Sequence, residues 1–314
     1  MSCDLTIIMY HYVRQLEHTR YPAIKGRRTS EFRFQIDYIK KNYNPVTVLD
    51  VVNSVRNGDP LPEKAALLTF DDGYIDHYVN VFPILFDAGI QGAFFPPVAP
   101  VKRAELLDVN RIHFILAAEQ SHERLCCSLD EEVLAYRQEF SLQVPEEYRL
   151  EWAKPNRFDF AETVYVKRML QVALPEKLRN IIARKLFAQY VSTDEASFAA
   201  ELYCNTDQLK VMQASGMYVG SHGESHYWLN AVDDNTQRRE ISNSLEFLRE
   251  IGSPVDDYWV MCYPFGAWND QLLTTLGEFG CTLGLTTEVG VANIGTHQPL
   301  LLPRLDTNDI PFKL

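Results

Sequence analysis

Apolar residues along the chain fall into short runs, and these alternate with stretches where they recur at steps of three and four. The runs at residues 5–9, 65–70, 92–95, 217–221, 258–262 and 281–286 have the length of buried strands, and polar residues or glycine follow each. Residues 31–42, 47–57, 76–88, 236–251 and 270–279 carry the spacing of amphipathic helices. Gly89 and Gly280 sit where helices stop, just before a new strand. Strand and helix alternating at these lengths predict a parallel α/β fold, closed or nearly closed into a barrel.

Residues 102–210 break that rhythm. The pattern there is mostly helical, with candidate helices at 111–120, 130–140, 161–172, 175–190 and 194–202, punctuated by Pro145, Pro155 and Pro175. The expected organisation is therefore a barrel from 1–101 and 211–314 with a helical insertion at 102–210. That insertion is a candidate lid or an element for homo-oligomerisation, and a passive packing layer fits the pattern equally well.

Composition narrows the partners. In 314 residues, 46 % are apolar and 23 % charged, ordinary for a globular chain, and the net charge is −12. That sign disfavours nucleic acid and anionic membrane surfaces, which repel it at long range. No run approaches the roughly 18 apolar residues of a membrane span. The chain enters a strand-like run almost at once, so no secretion signal is legible. Cys3, Cys126, Cys127, Cys204, Cys262 and Cys281 form no C-x-x-C pair, which reads as free thiols in a reducing, cytoplasmic setting.

Chemistry concentrates where runs end. Leu67-Leu68-Thr69-Phe70 leads into Asp71-Asp72-Gly73-Tyr74, two carboxylates at a strand tip that faces the functional crevice of a parallel fold. An acidic turn capping the next helix is the plain alternative. Tyr218-Val219-Gly220-Ser221 similarly leads into His222-Gly223-Glu224-Ser225-His226. Histidines four apart suit two ligands of one metal ion, although a structural pair has the same spacing. Two imidazoles plus the Asp72 carboxylate, with positions left over, make a catalytic metal constellation. A serine nucleophile elbow fails because Tyr227 stands where the second glycine is needed, and neither a P-loop nor a G-x-G-x-x-G occurs.

Thr69-Phe70-Asp71-Asp72-Gly73 and Ser221-His222-Gly223-Glu224-Ser225-His226 resemble the first two motifs of the polysaccharide deacetylases, carbohydrate esterase family 4. Tyr263-Pro264-Phe265-Gly266 is similar to the third. The resemblance covers about 5–101 and 209–305. It implies an α/β fold, a distorted (β/α)7 barrel with a large helical insertion. It also implies that Asp71 is the general base and that Asp72, His222 and His226 hold a divalent metal, Zn2+ being the expected ion. Two positions depart from the family pattern. Cys262 stands where an arginine is common, and Leu283-Gly284-Leu285-Thr286-Thr287 has threonine where a late catalytic histidine is sought. His297 follows in a loop. His11, just past the first strand, resembles the acid histidine of a branch that hydrolyses exopolysaccharide amides, and Arg304 resembles a late arginine of that branch.

The expectation is a metal-dependent hydrolase that removes an N-acetyl or O-acetyl group from a sugar or glycan precursor of surface polysaccharide. Asp71 and His11 are its catalytic pair, and Tyr263, Phe265 and Arg304 bind substrate or support the site. Tyr12, Tyr74, Tyr227, Trp228 and Trp268 flank the motifs as candidates to stack on sugar rings. His18, His77, His113 and His122 read as structural or surface residues. A metal-dependent amidohydrolase on a non-sugar amide or formamide, and a non-catalytic glycan-binding barrel, remain open.

Overall fold

The computed structural model describes residues 4–156 and 159–313, so Cys3 lies outside the described residues. The described chain divides into two compact units, one from residues 4–15, 26–105 and 199–313, the other from 16–25 and 106–198. The smaller unit is thus shorter than the insertion expected at 102–210 and recruits an N-terminal piece. That piece belongs because Tyr21 packs on Phe114 at 5.2 Å and on Phe198 at 6.0 Å between ring centroids. The unit is helical and has its own core, with Ile112, Ile115, Leu129, Ile182 and Phe187 fully or almost fully buried.

Seven strands form the barrel path of the larger unit: β1 (Asp4–Tyr10), β2 (Ala65–Asp71), β3 (Gly92–Phe95), β4 (Tyr218–Val219), β5 (Val260–Cys262), β6 (Leu283–Val289) and β7 (Leu302–Asp306), with the two-residue strands Asn44–Pro45 and Ala292–Asn293 pairing at its side. The seven pair in parallel in the order β4-β3-β2-β1-β7-β6-β5. One bridge joins the two ends: Ser221 donates to the Val260 carbonyl at 3.0 Å and Cys262 donates to the Ser221 carbonyl at 2.9 Å. The Tyr218 hydroxyl accepts the Val260 N–H, a donor that a longer β4 would otherwise satisfy. The result is a distorted (β/α)7 barrel.

Six helices of seven or more residues flank the strands, α1 (Thr29–Asn42), α2 (Val48–Asn57), α3 (Phe82–Ala88), α4 (Thr206–Ala214), α5 (Asp234–Glu250) and α6 (Asp270–Glu278), and a shorter one covers Val98–Arg103. The segment 76–88 is not one uniform helix, because a π turn at His77–Val81 precedes α3. Strand alternation sorts the core into two layers. Ile8, Tyr10, Leu68 and Phe70 pack under helix residues such as Phe32, Ile36, Ile241 and Leu245. Leu5, Ile7, Leu67, Val260, Leu285 and Leu302 pack together on the other face. Asp71, Cys262 and Arg304 share the parity of this second set. They therefore face the barrel axis.

β7 was not among the strands expected from periodicity. Pro303 and a buried Arg304 interrupt its apolar pattern, and the chain accommodates the proline with a register shift against β6 between Leu302 and Arg304.

Candidate metal centre and active site

The C-terminal ends of β2 and β4 present the two acidic and histidine-bearing turns. After Asp71 the backbone turns through left-handed conformations at Asp72 (φ 71°) and Gly73 (φ 67°). A Cβ on Gly73 would lie 2.6 Å from the Pro96 Cβ, so only glycine fits this turn. The turn brings Asp72 Oδ1 to 3.4 Å from His222 Nε2 and 3.3 Å from His226 Nε2. His226 is itself left-handed (φ 57°), a conformation uncommon for a side chain of this size.

Backbone contacts hold the histidine turn from several sides. His222 Nδ1 donates to the Cys262 carbonyl at 2.6 Å, which aims Nε2 at Asp72 and makes it the nitrogen that a metal ion would take in place of a proton. Glu240, buried on α5, accepts the N–H groups of Glu224 and Ser225 through Oε2 at 2.9 and 2.7 Å. Its Oε1 is buried with no hydrogen-bond partner among the described residues. Val98 and Ala99 donate to the carbonyls of Gly223 and Glu224.

Asp71 is 2 % exposed and faces Arg304, which is 1 % exposed. The guanidinium grips both carboxylate oxygens at 2.9 and 2.8 Å, and also donates to Thr69 Oγ1 and the Thr286 carbonyl. Burial alone would raise the Asp71 carboxyl, but the charge and hydrogen bonds of Arg304 bring it down to about 2. Burial likewise opposes ionisation of Asp72, and hydrogen bonds from the two imidazoles outweigh it, so its carboxyl falls well below the usual range. Burial pushes His226 down, toward the neutral form that ligates metals.

Among the described residues, two sets of donors lie close enough to share an ion: Asp72, His222 and His226, and Asp71, His222 and Cys262, each within 4.8 Å. The first fits a divalent cation, because each imidazole points Nε2 at the same carboxylate oxygen. The second does not. The Arg304 guanidinium already balances the Asp71 charge, and burial pushes the Cys262 thiol up, away from the thiolate a metal needs.

The remaining expected residues separate. His11 is half-buried just after β1, whose C-terminal end pairs with that of β2 at the same barrel rim. His297 is exposed in a turn where its Nδ1 accepts the Asn293 N–H. Asn293 pairs with Asp4 at the start of β1, so His297 belongs to the opposite end of the barrel. Phe265, left-handed at φ 58°, packs edge-on against His226 at 4.6 Å and flat against Trp228 at 4.3 Å. Tyr263 is buried and donates to the Leu300 carbonyl, a supporting contact rather than a surface for substrate.

Tyr12 and Tyr74, expected to flank the site as stacking surfaces, are 3 % and 0 % exposed and cannot meet a sugar ring. Tyr227 and Trp268 remain exposed. His77 is buried, and its Nε2 donates to the His11 carbonyl at 2.9 Å. Glu240 was missed entirely. Its signal was a carboxylate on the core-facing stripe of a helix, alongside Gln237, Ile241, Ser244 and Leu245.

A family model described as polysaccharide deacetylase matches residues 185–284. Over 59 residues the chain is 51 % identical to the poly-beta-1,6-N-acetyl-D-glucosamine N-deacetylase of Escherichia coli (strain K12), a match covering 18 % of this chain and 9 % of that protein. Two solved structures share the fold. The deacetylase PplD of Streptococcus pyogenes, in complex with acetate, aligns with TM-score 0.59 and 16 % identity over 99 % of this chain and 94 % of that one. IcaB from Ammonifex degensii aligns with TM-score 0.57 and 18 % identity over 97 % and 91 %.

Proposed function

Because the chain belongs to the polysaccharide deacetylase family, carbohydrate esterase family 4, we propose that it is a metal-dependent hydrolase of N-acetyl groups on a β-linked glucosamine glycan or its precursor, acting in surface polysaccharide formation. The observation that carries this reading is the approach of both imidazoles to one oxygen of Asp72 beside an ionised, Arg304-braced Asp71.

Asp72, His222 and His226 would hold the ion, with Zn2+ the expected metal for two nitrogens and one carboxylate. Bound there, it would make a water more acidic and polarise the acetyl carbonyl. Asp71 takes a proton from the attacking water, and Arg304 keeps it ionised and aimed. The Phe265 N–H, in a left-handed turn, would donate to the carbonyl oxygen as it gains charge. His11 delivers a proton to the departing nitrogen, without which an amine is a poor leaving group. Water and amide are thereby converted to acetate and a free amine. Phe265 and Trp228 offer a stacked aromatic wall beside His226 for the sugar ring.

Acetate released from N-acetylated β-1,6-glucosamine oligomers in the presence of Zn2+ tests this. Asp71→Asn should lower the rate by roughly 10²–10⁴-fold while Zn2+ still binds, and Asp72→Asn should lose both. Retention of most activity in Asp71→Asn would remove the assigned base. Release of formate, or of acetate only from non-sugar amides, would favour the broader amidohydrolase reading.

A further inference from the structure

The two oxygens of Asp72 are not equivalent. Oδ1 faces both imidazoles, at 3.4 and 3.3 Å. Oδ2 accepts the Tyr74 hydroxyl at 2.5 Å. Tyr74 is fully buried, and its ring stacks on Tyr12 at 4.0 Å between centroids and on Tyr203 at 6.1 Å. The Tyr12 and Tyr74 hydroxyls are hydrogen-bonded to each other. An ionised carboxylate only accepts, so the single Tyr74 proton points at Asp72 and Tyr12 donates to the Tyr74 oxygen.

The outer partner is fixed in turn. The Arg14 guanidinium lies over the Tyr12 ring at 4.8 Å and pairs with Asp76 at 2.7 Å, and the same Asp76 oxygen accepts the Val13 N–H. Neither phenol can swing aside without breaking buried contacts, so Oδ2 stays covered.

We propose that Tyr74, backed by Tyr12, is a positioning residue that keeps Asp72 a one-atom donor and thereby sets how strongly and how selectively the centre binds its ion. This rests on the metal-site reading above. Three one-atom donors leave a small cation room for water and for a substrate oxygen. A freed Oδ2 would let Asp72 chelate through both oxygens, an arrangement suited to larger, oxygen-preferring ions. The phenol therefore acts on which ion is held, through Asp72, without touching substrate.

The test uses metal-free full-length protein, titrated with Zn2+, Mn2+ and Co2+ against a competing chelator. Tyr74→Phe removes only the hydroxyl. It should weaken Zn2+ binding by about 10- to 100-fold, weaken Mn2+ binding less, and reduce the visible absorption of bound Co2+ as the coordination number rises. Tyr12→Phe leaves the Tyr74 hydroxyl in place, so it guards against a folding defect in the first variant. It should change the same three quantities in the same direction by a smaller factor. Zn2+ affinity and a Co2+ spectrum in Tyr74→Phe equal to those of the wild type would overturn the proposal. Wild-type protein that binds none of the three ions would instead overturn the reading on which it rests.

Discussion

Arg304 and Asp71 form a buried pair in which a rigid fork meets a carboxylate along two parallel hydrogen bonds. Such a pair adds little over a well-packed apolar core, but removing one partner strands the other charge. Arg304→Met should therefore destabilise the protein by about 3–5 kcal/mol, read from its denaturant midpoint. Arg304→Lys should recover only part of that loss because an ammonium cannot fork. A Met variant within about 1 kcal/mol of the wild type would mean that Asp71 is solvated, not braced. His77 is the second residue whose burial has a measurable consequence. Burial pushes its imidazole down to about 4, while in the unfolded chain it titrates near 6.5, so between these values the unfolded chain binds a proton that the native one does not. Stability contributed by neutral His77 is present above about pH 6.5 and is lost as pH falls toward 4, by on the order of 3 kcal/mol in total. In metal-free protein the stability gap between wild type and His77→Gln should narrow from pH 7 to pH 5. A gap independent of pH would show that His77 takes up its proton without unfolding.

At the scale of elements, the turn between His222 and His226 is too short and polar to fix itself. α5 reaches across with Glu240, whose single oxygen gathers two successive N–H groups. Glu240→Leu should release the amides of Glu224 and Ser225 to faster hydrogen exchange and weaken Zn2+ binding by about 10-fold or more. Glu240→Gln keeps an accepting oxygen and should stay close to wild type in both. Equal exchange in the two variants would assign the hold on this turn to Val98 and Ala99 instead. The start of the helical stretch after β2 works in a similar way for β1. Tyr74 covers Asp72, Asp76 binds the Val13 N–H and Arg14, and His77 binds the His11 carbonyl. One stretch of four residues thus anchors both a candidate metal ligand and the backbone of the candidate acid.

Across the whole molecule, the net charge of −12 sets a long-range preference. The proposed reaction would turn a neutral sugar into a cation, so its substrate and product would differ in how they sense that field. Binding of the deacetylated oligomer should weaken several-fold between about 20 and 300 mM salt, because screening shortens the field to within a contact or two. Binding of the acetylated oligomer should hold nearly constant. Equal salt dependence for both would mean that the acidic charge is solvated surface remote from the groove. No helix among the described residues is long and apolar enough to cross a membrane.

Local pattern alone determined the strand-helix alternation, six of the seven barrel strands in outline, and the two turns that carry Asp71, Asp72, His222 and His226. Those features are written within a few residues of each other, as periodicity and as polar groups at the ends of apolar runs. Which distant residues meet was decided by register and closure of the barrel. Pairing of Ile8 with Leu305 in neighbouring strands brings Arg304 to Asp71, and pairing of Asp4 with Asn293 sends His297 to the far end while His11 stays at the rim. The same closure buried Tyr12 and Tyr74, which look like exposed aromatic flanks in one dimension. A side chain's neighbours across a barrel depend on contacts hundreds of residues apart in sequence, and no local period records them.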